Sequence, residues 1–198
     1  MDNCSRWAPS PSIYTSRTGP TMTASPNRYS KATILLHWLA ALLIIGLIVV
    51  GQMMEDMQGS EKLQLLDLHR KIGLLTGVIF LARLVFFFLH ARPEADPVWP
   101  PLQAKFAKLI HLLLYILPIV MVASGMASMM LFGLGEYVDS GDYAGYSTAA
   151  ESVKPLIVHG IGSKLLVASI VLHVVGAIYH HFIKKDGIMD RMSLLRSR

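Results

Sequence analysis

The stretch that decides the fold is residues 156–183, LIVHGIGSKLLVASIVLHVVGAIYHHFI, an almost wholly apolar run whose interior holds two histidines. His159 and His173 lie fourteen positions apart, and at 100° per residue that spacing is about 40° short of four helical turns. Both side chains therefore leave nearly the same helix face, separated by about 21 Å along the axis. Because an ionisable side chain within a bilayer is costly, two of them on one face indicate a binding role.

Composition places the chain in a membrane. Apolar residues make up 53% of the sequence and charged residues 16%, compared with roughly 45–50% and about 25% in soluble domains. A hydrocarbon core takes about 20 residues to cross, and four segments are long enough: 33–54, 66–89, 104–132 and 156–183. The sequence therefore predicts an all-α membrane protein, with a four-helix transmembrane bundle within residues 28–198.

The first 27 residues differ in character from the rest of the chain. They are rich in Ser, Thr and Pro and contain no apolar run, so they are neither a cleavable signal peptide nor a folded unit. We expect a disordered cytoplasmic tail over residues 1–27. The other interpretation is translation upstream of the native start, because Met22 lies only fifteen residues before His37.

Positive charge predicts the orientation of the bundle. The N-terminal tail, the second connection and the C-terminal tail together hold twelve Lys and Arg, whereas the remaining connections and the start of the second helix hold four. Such asymmetry predicts that both termini lie on the cytoplasmic side of the membrane. Since topology explains the net charge of +5, the charge does not indicate a nucleic-acid partner.

The other histidines supply opposing partners at two depths. With cytoplasmic termini, His37 near the start of the first helix lies at the inner level, and His69 near the start of the second lies at the outer level. On the last helix, His159 is outer and His173 inner. The sequence thus predicts two facing pairs, His69 with His159 and His37 with His173. His111, one to two turns into the third helix, is a competing inner ligand, but an interfacial or quinone-site role is the interpretation we favour for it.

Facing imidazoles at two depths are suited to two stacked haems. The single cysteine, Cys4, and the lack of a Cys-x-x-Cys-His motif exclude covalent attachment, so the haems would be b-type. Arg83 lies fourteen residues after His69, at the inner level, where a lone cation needs an anion such as a haem propionate or a quinone oxygen. His180, two turns after His173, could fill the same role or be a solvated interfacial histidine.

Small residues and a further lysine surround the predicted outer pair. Gly51 lies fourteen residues after His37, where the backbone could approach the outer macrocycle. Gly73 and Gly77 continue one face of the second helix, and helix packing explains them as well as clearance for a haem does. We expect Lys164 to extend toward the outer surface or to pair with an outer propionate.

Beyond the histidines, longer pieces of the chain resemble the bacterial cytochrome b561 family, the small di-haem membrane cytochromes that include superoxide oxidase. The resemblance covers about 170 of 198 residues, and departs from the family pattern in the N-terminal tail and at Lys164. The matching pieces are Arg28-Tyr29-Ser30, Leu36-His37-Trp38, His69 with Gly73 and Arg83, His111 to Tyr115 with Pro118, His159 with His173, and His180-His181-Phe182-Ile183-Lys184-Lys185-Asp186.

The resemblance implies the cofactors and the reaction. It implies two haem b groups with four axial ligands, and electron exchange with ubiquinone. Those ligands are His37, His69, His159 and His173. The function it favours is a superoxide:ubiquinone oxidoreductase that oxidises superoxide at the outer side and reduces quinone near the inner haem.

Two cations next to the outer histidine bear on the choice of donor. Arg70 and Lys71 would attract the superoxide anion, or else anchor the second helix at the membrane interface. The alternative function is a non-catalytic di-haem electron carrier, or a membrane-anchor cytochrome b subunit that docks a soluble redox protein. A transporter without haem would make all four histidines coincidental.

Overall fold

The computed structural model describes residues 28–90, 93 and 100–194. Within these residues the chain is helical and has no strand. The helices, in chain order, are α1 (Lys31–Glu55), α2 (Gly59–Leu89), α3 (Pro101–Met126), α4 (Leu134–Ser140), α5 (Tyr143–Ala150) and α6 (Lys154–Tyr179). Of these, α1, α2, α3 and α6 are long and apolar enough to cross a membrane. The predicted all-α transmembrane bundle is confirmed, and the predicted tail lies outside the described residues.

Each of the four long helices begins a few residues earlier than the sequence predicted. Helix α2 begins at Gly59, seven residues before the predicted start. Its first two turns are polar and project beyond the apolar span, so hydropathy did not include them in the predicted helix. At their ends, α3 and α6 each continue into one wide π-helical turn, Ala127–Leu131 and His180–Lys184. Turns of this kind are rare and are frequently found at functional sites.

Local capping explains where several helices begin. The Oγ of Ser30 accepts a hydrogen bond from the N–H of Thr33 at 3.2 Å, which satisfies one free donor in the first turn of α1. Proline occupies the first turn of α3 and of α6, where its missing N–H costs no helical hydrogen bond. Gly133 and Gly141 bracket α4 with φ of 71° and 75°, values that favour glycine.

The bundle consists of two helix hairpins. Helix α1 packs along α2, and α3 packs along α6, while the contacts between the hairpins are fewer and run mainly between α2 and α3. The end of the bundle that carries residues 28–31 and 184–194 is called the terminal end below. The opposite end is called the cap end, because α4 and α5 lie there against α2.

A small apolar core holds the cap onto α2. Leu134 is fully buried at the start of α4 and packs in a cluster with side chains from α2, α4, α5 and the residue before α6. The cluster members are Leu63, Leu66, Leu134, Val138, Tyr146 and Val153. Since Leu66 lies three residues before His69, this core fixes the part of α2 from which that histidine projects.

At the terminal end, the segment after α6 folds back across the bundle. Residues 185–194, called the strap here, are tied to the start of α1 by hydrogen bonds. The indole N–H of Trp38 donates to the carbonyl of Met192 at 2.9 Å, and the guanidinium of Arg28 donates to the carbonyl of Ser193 at 2.5 Å. The strap therefore links the first and last long helices.

Candidate haem sites

Four of the predicted histidines meet as two pairs between the hairpins. At the cap end, the rings of His69 on α2 and His159 on α6 have centres 6.2 Å apart and planes inclined by 71°. At the terminal end, the rings of His37 on α1 and His173 on α6 have centres 6.3 Å apart and planes inclined by 70°. The structure thus brings together the partners that helix depth predicted, and each pair joins one hairpin to the other.

The spacing within each pair fits a metal held between two imidazoles. A transition metal lies about 2.0–2.1 Å from a ring nitrogen and that nitrogen about 1 Å from its ring centre, so two rings sharing one metal have centres about 6 Å apart. In addition, the Nδ1 atoms of His37 and His69 are buried without a hydrogen-bond partner in the described part of the chain. A purely structural histidine would normally satisfy such an atom, so the residues fit haem iron.

Two glycines leave room beside the cap-end pair. A Cβ atom on Gly51 would lie 3.7 Å from Cε1 of His69, and one on Gly125 would lie 3.4 Å from Cε1 of His159. The sequence analysis placed Gly51 at this depth but did not single out Gly125. Any longer side chain at either position would enter the space next to the facing rings.

The other residues predicted around this pair have simpler surroundings. A Cβ on Gly77 would lie 3.1 Å from a methyl group of Val122, so close packing of α2 on α3 explains that glycine. A Cβ on Gly73 would meet nothing within 4 Å. Lys164 is exposed on α6, which agrees with a side chain that extends to the surface.

His159 differs from His37 and His69 in having hydrogen-bonded support at Nδ1 among the described residues. Its Nδ1 lies 3.1 Å from the carbonyl oxygen of Met121 and 3.1 Å from Oγ of Ser124, both on α3. Sequence reasoning missed Ser124. The only signal for it is a serine within the apolar second half of α3, next to a glycine.

His111 lies beside the terminal-end pair. Its ring centre is 5.2 Å from that of His173, with the planes at 77°. The separation is shorter than the spacing that fits a shared metal. The geometry therefore favours His37 over His111 as the partner of His173.

Arg83 is partly buried near the terminal-end pair and has aromatic neighbours. Its guanidinium carbon lies 5.4 Å from the ring centre of Tyr115, and that ring also packs against Phe80 and Phe87. The Nε of Arg83 is buried and has no hydrogen-bond partner among the residues the structure describes. Such a cation can receive an anionic or carbonyl oxygen, so its predicted role toward a propionate or a quinone stays a prediction with this support.

The two cations near His69 are paired with carboxylates. Arg70 bonds Asp67 at 2.8 Å and also Asp139 of α4, and Lys71 bonds Asp67 at 2.6 Å. Two cations and two carboxylates leave this cluster without excess positive charge. The role predicted for Arg70 and Lys71 in attracting superoxide stays a prediction, and the sequence analysis overlooked both of their partners.

His180 is buried at the terminal end with both ring nitrogens engaged. Its Nδ1 donates to the carboxylate of Asp186 at 2.5 Å, and its Nε2 accepts from the amide of Gln103 at 3.2 Å. Burial opposes ionisation of Asp186, but hydrogen bonds from His180 and from the N–H of Ile188 outweigh it and hold the pKa of the carboxyl below its usual value. Because both nitrogens are used, the structure favours a role for His180 in holding the strap over the predicted contact with a propionate or a quinone.

Known proteins resemble the chain over nearly all of its described length. The sequence profile of the prokaryotic cytochrome b561 family matches residues 28–193. Cytochrome b561 homolog 1 of Escherichia coli (strain K12) is 28% identical over 171 residues, which are 84% of this chain and 97% of the homolog. Cytochrome b561 homolog 2 of the same organism is 26% identical over 183 residues, 86% and 93% of the two chains. The chain therefore belongs to the prokaryotic cytochrome b561 family, as a membrane cytochrome that binds b-type haem and transfers electrons.

Proposed function

We propose that this protein passes electrons across the bacterial inner membrane through two b haems, with superoxide as the donor and ubiquinone as the acceptor. In this proposal the termini are cytoplasmic, so the cap end faces outward. The observation that carries it is the presence of two facing histidine pairs near opposite ends of one bundle, fourteen residues or about 21 Å apart along α6. Bound haem would supply one-electron oxidation and reduction of its iron.

Each haem would be held between the hairpins. His69 and His159 would ligate one haem at the cap end, and His37 and His173 the other at the terminal end. In each pair α6 contributes one ring, and the opposite hairpin contributes the other. The apolar helices around the pairs keep water away, which is one of the ways a protein controls a metal's potential.

At the terminal end, the chain offers a binding site for the electron acceptor. Arg83 supplies a partly buried positive charge, and the aromatic ring of Tyr115 lies beside it. A quinone oxygen or a haem propionate is the partner that such a site fits. In the balanced reaction, two superoxide anions become two molecules of oxygen, and the two electrons released with two protons convert one ubiquinone to ubiquinol.

A second candidate function rests on the charge of the cap. Glu136, Asp142 and Glu151 are exposed there, and the carboxylates of the Asp67 cluster neutralise the nearby cations. An acidic surface repels superoxide and attracts a basic soluble protein, because complementary charge steers association. This observation favours a di-haem carrier, or a membrane-anchor subunit, that receives electrons from a soluble redox protein.

Haem content tests the ligand assignment. We expect two haems per chain in a pyridine haemochrome assay of the purified protein. Alanine at His69 or at His159 should remove one and the same haem, and alanine at His37 or at His173 should remove the other, since each pair shares a site. His111→Ala should retain both. A wild-type protein with one haem, or loss of a haem in the His111 variant, would refute the assignment.

Rapid mixing separates the two functions. If superoxide is the donor, pulses of it should reduce the haems of the detergent-solubilised protein, and added ubiquinone should oxidise them again. Arg83→Ala should slow the ubiquinone step more than the superoxide step. Arg70→Gln and Lys71→Gln should slow the superoxide step without loss of haem, whereas Lys154→Gln serves as the control at the same surface. If superoxide does not reduce the haems but a basic soluble redox protein does, the result would support the electron-carrier function instead.

A further inference from the structure

The two histidines of the cap-end pair have different hydrogen-bond surroundings. The Nδ1 of His159 lies 3.1 Å from the carbonyl oxygen of Met121 and 3.1 Å from Oγ of Ser124. The Nδ1 of His69 is buried and has no partner in the described part of the chain. One ring is therefore held by a third helix, α3, that contributes no member to either histidine pair.

The contact with Met121 settles which nitrogen of His159 carries the proton. A carbonyl oxygen can only accept, so Nδ1 must be the donor. In the neutral ring, Nε2 then keeps its lone pair, which is the form that ligates a metal. The support from α3 thus selects the ligating tautomer before any metal binds.

Ser124 is itself held in place for this contact. Its side chain is buried, at 7% exposure, and its hydroxyl donates to the carbonyl of Val120 at 2.7 Å. With its proton used in that bond, Oγ presents a lone pair to the N–H of His159, which it shares as a second acceptor with the carbonyl of Met121. The next residue, Gly125, lies against the same ring, because a Cβ there would be in ordinary van der Waals contact with Nδ1, at 3.5 Å.

From this geometry we infer that Ser124 is a positioning residue for His159, which orients the ring and sets the potential of the cap-end haem. The inference rests on the proposed ligation by His159. An acceptor on Nδ1–H makes the imidazole a stronger electron donor to a metal. That effect stabilises the oxidised iron, so the hydroxyl of Ser124 lowers the potential of the cap-end haem.

The test is a redox titration of the visible spectrum in Ser124→Ala. Outer-shell hydrogen bonds change metal affinity by about 10–100-fold. The reduction potential shifts only to the extent that the affinities for ferric and ferrous iron change by different factors. If the equilibrium preference for ferric over ferrous iron falls two- to tenfold, the reduction potential of a one-electron couple rises by about 20–60 mV. We expect this increase at the cap-end haem only, with both haems retained.

Two further variants separate positioning from packing. Ser124→Thr keeps a hydroxyl and should return the potential toward the wild-type value. Ser169→Ala is the matched control, because Ser169 is also buried and donates to a backbone carbonyl four residues earlier, that of Leu165 at 2.8 Å. It should leave both potentials unchanged.

The outcomes distinguish this inference from the proposed function. If His159→Ala removes one haem but Ser124→Ala leaves its potential unchanged, the positioning role is wrong and the ligation stands. An equal shift of both haems in Ser124→Ala would also overturn the positioning role, because it would report a general change in packing. If His159→Ala retains both haems, the ligand assignment fails, and the role of Ser124 fails with it.

Discussion

Replacing Leu134 by alanine should loosen the cap selectively. Leu134 is completely buried and lies in a core of six residues that joins α4 and α5 to α2. Truncating a buried leucine costs about 2–5 kcal/mol, through lost apolar burial and the cavity that remains. At about 1.4 kcal/mol for each factor of ten, the equilibrium for opening the cap should rise about 30- to 4,000-fold.

Amide hydrogen exchange across α4 and α5 measures this opening. Protection of those amides should fall by the same factor, or to the unprotected rate if the cap opens fully, while amides of α1 and α3 keep theirs. On heating, the variant should also lose the cap-end haem at a lower temperature than the wild type and retain the terminal-end haem. These changes follow because the core fixes the part of α2 that carries His69.

Leu131→Ala is the matched control, since Leu131 is 82% exposed and its truncation removes little buried surface. It should change protection of the cap by less than about twofold, because exposed substitutions stay within about 0.5 kcal/mol. If Leu134→Ala and Leu131→Ala gave the same protection, the cap would not be held by the apolar core, and this reasoning would be refuted.

Two further predictions concern the strap and the cap-end pair. Since the pKa of Asp186 is held below its ordinary value of 3.8, its contribution to stability is present above about that pH and is lost as the pH falls below it. Asp186→Asn should abolish that acid dependence and speed amide exchange in the strap at neutral pH, whereas the exposed Asp190→Asn should do neither. Equal exchange in the two variants would contradict the role of the hydrogen bond between His180 and Asp186. Gly125→Leu should expel the cap-end haem, because a Cβ there already lies 3.4 Å from the histidine ring, while Gly160→Leu, where a Cβ meets nothing within 4 Å, should retain it. Two haems in the Gly125 variant would show that the haem does not occupy this space.

Sequence periodicity predicted the long helices and the histidine pairs for a physical reason. Spacing along a helix fixes both the face and the depth of a side chain, and a bilayer makes the apolar spans conspicuous. Depth alone identified His69 as the partner of His159, and the rings do meet. It could not decide between His37 and His111, because both lie at the inner level and only their distances from His173 separate them.

Contacts that depend on helix rotation or on chain folding outside the bilayer were not predictable in this way. Ser124 meets His159 through a particular rotation of α3 against α6, which hydropathy does not specify. Arg70 meets Asp139 across 69 residues of sequence, because α4 folds back onto α2. The first turns of α2 are polar, so an apolar-span criterion placed the start of that helix too late.

The division of the histidine pairs between hairpins has a consequence for biosynthesis. Helix α6 supplies one ring to each pair, and it is the last long helix to leave the ribosome, since chains are made from the N-terminus. With the proposed ligands, a nascent chain that has inserted α1, α2 and α3 holds no complete site. The cap-end haem would then be acquired only after translation has passed His159, and the terminal-end haem only after it has passed His173, so chains cut short before His159 would be left without a cofactor.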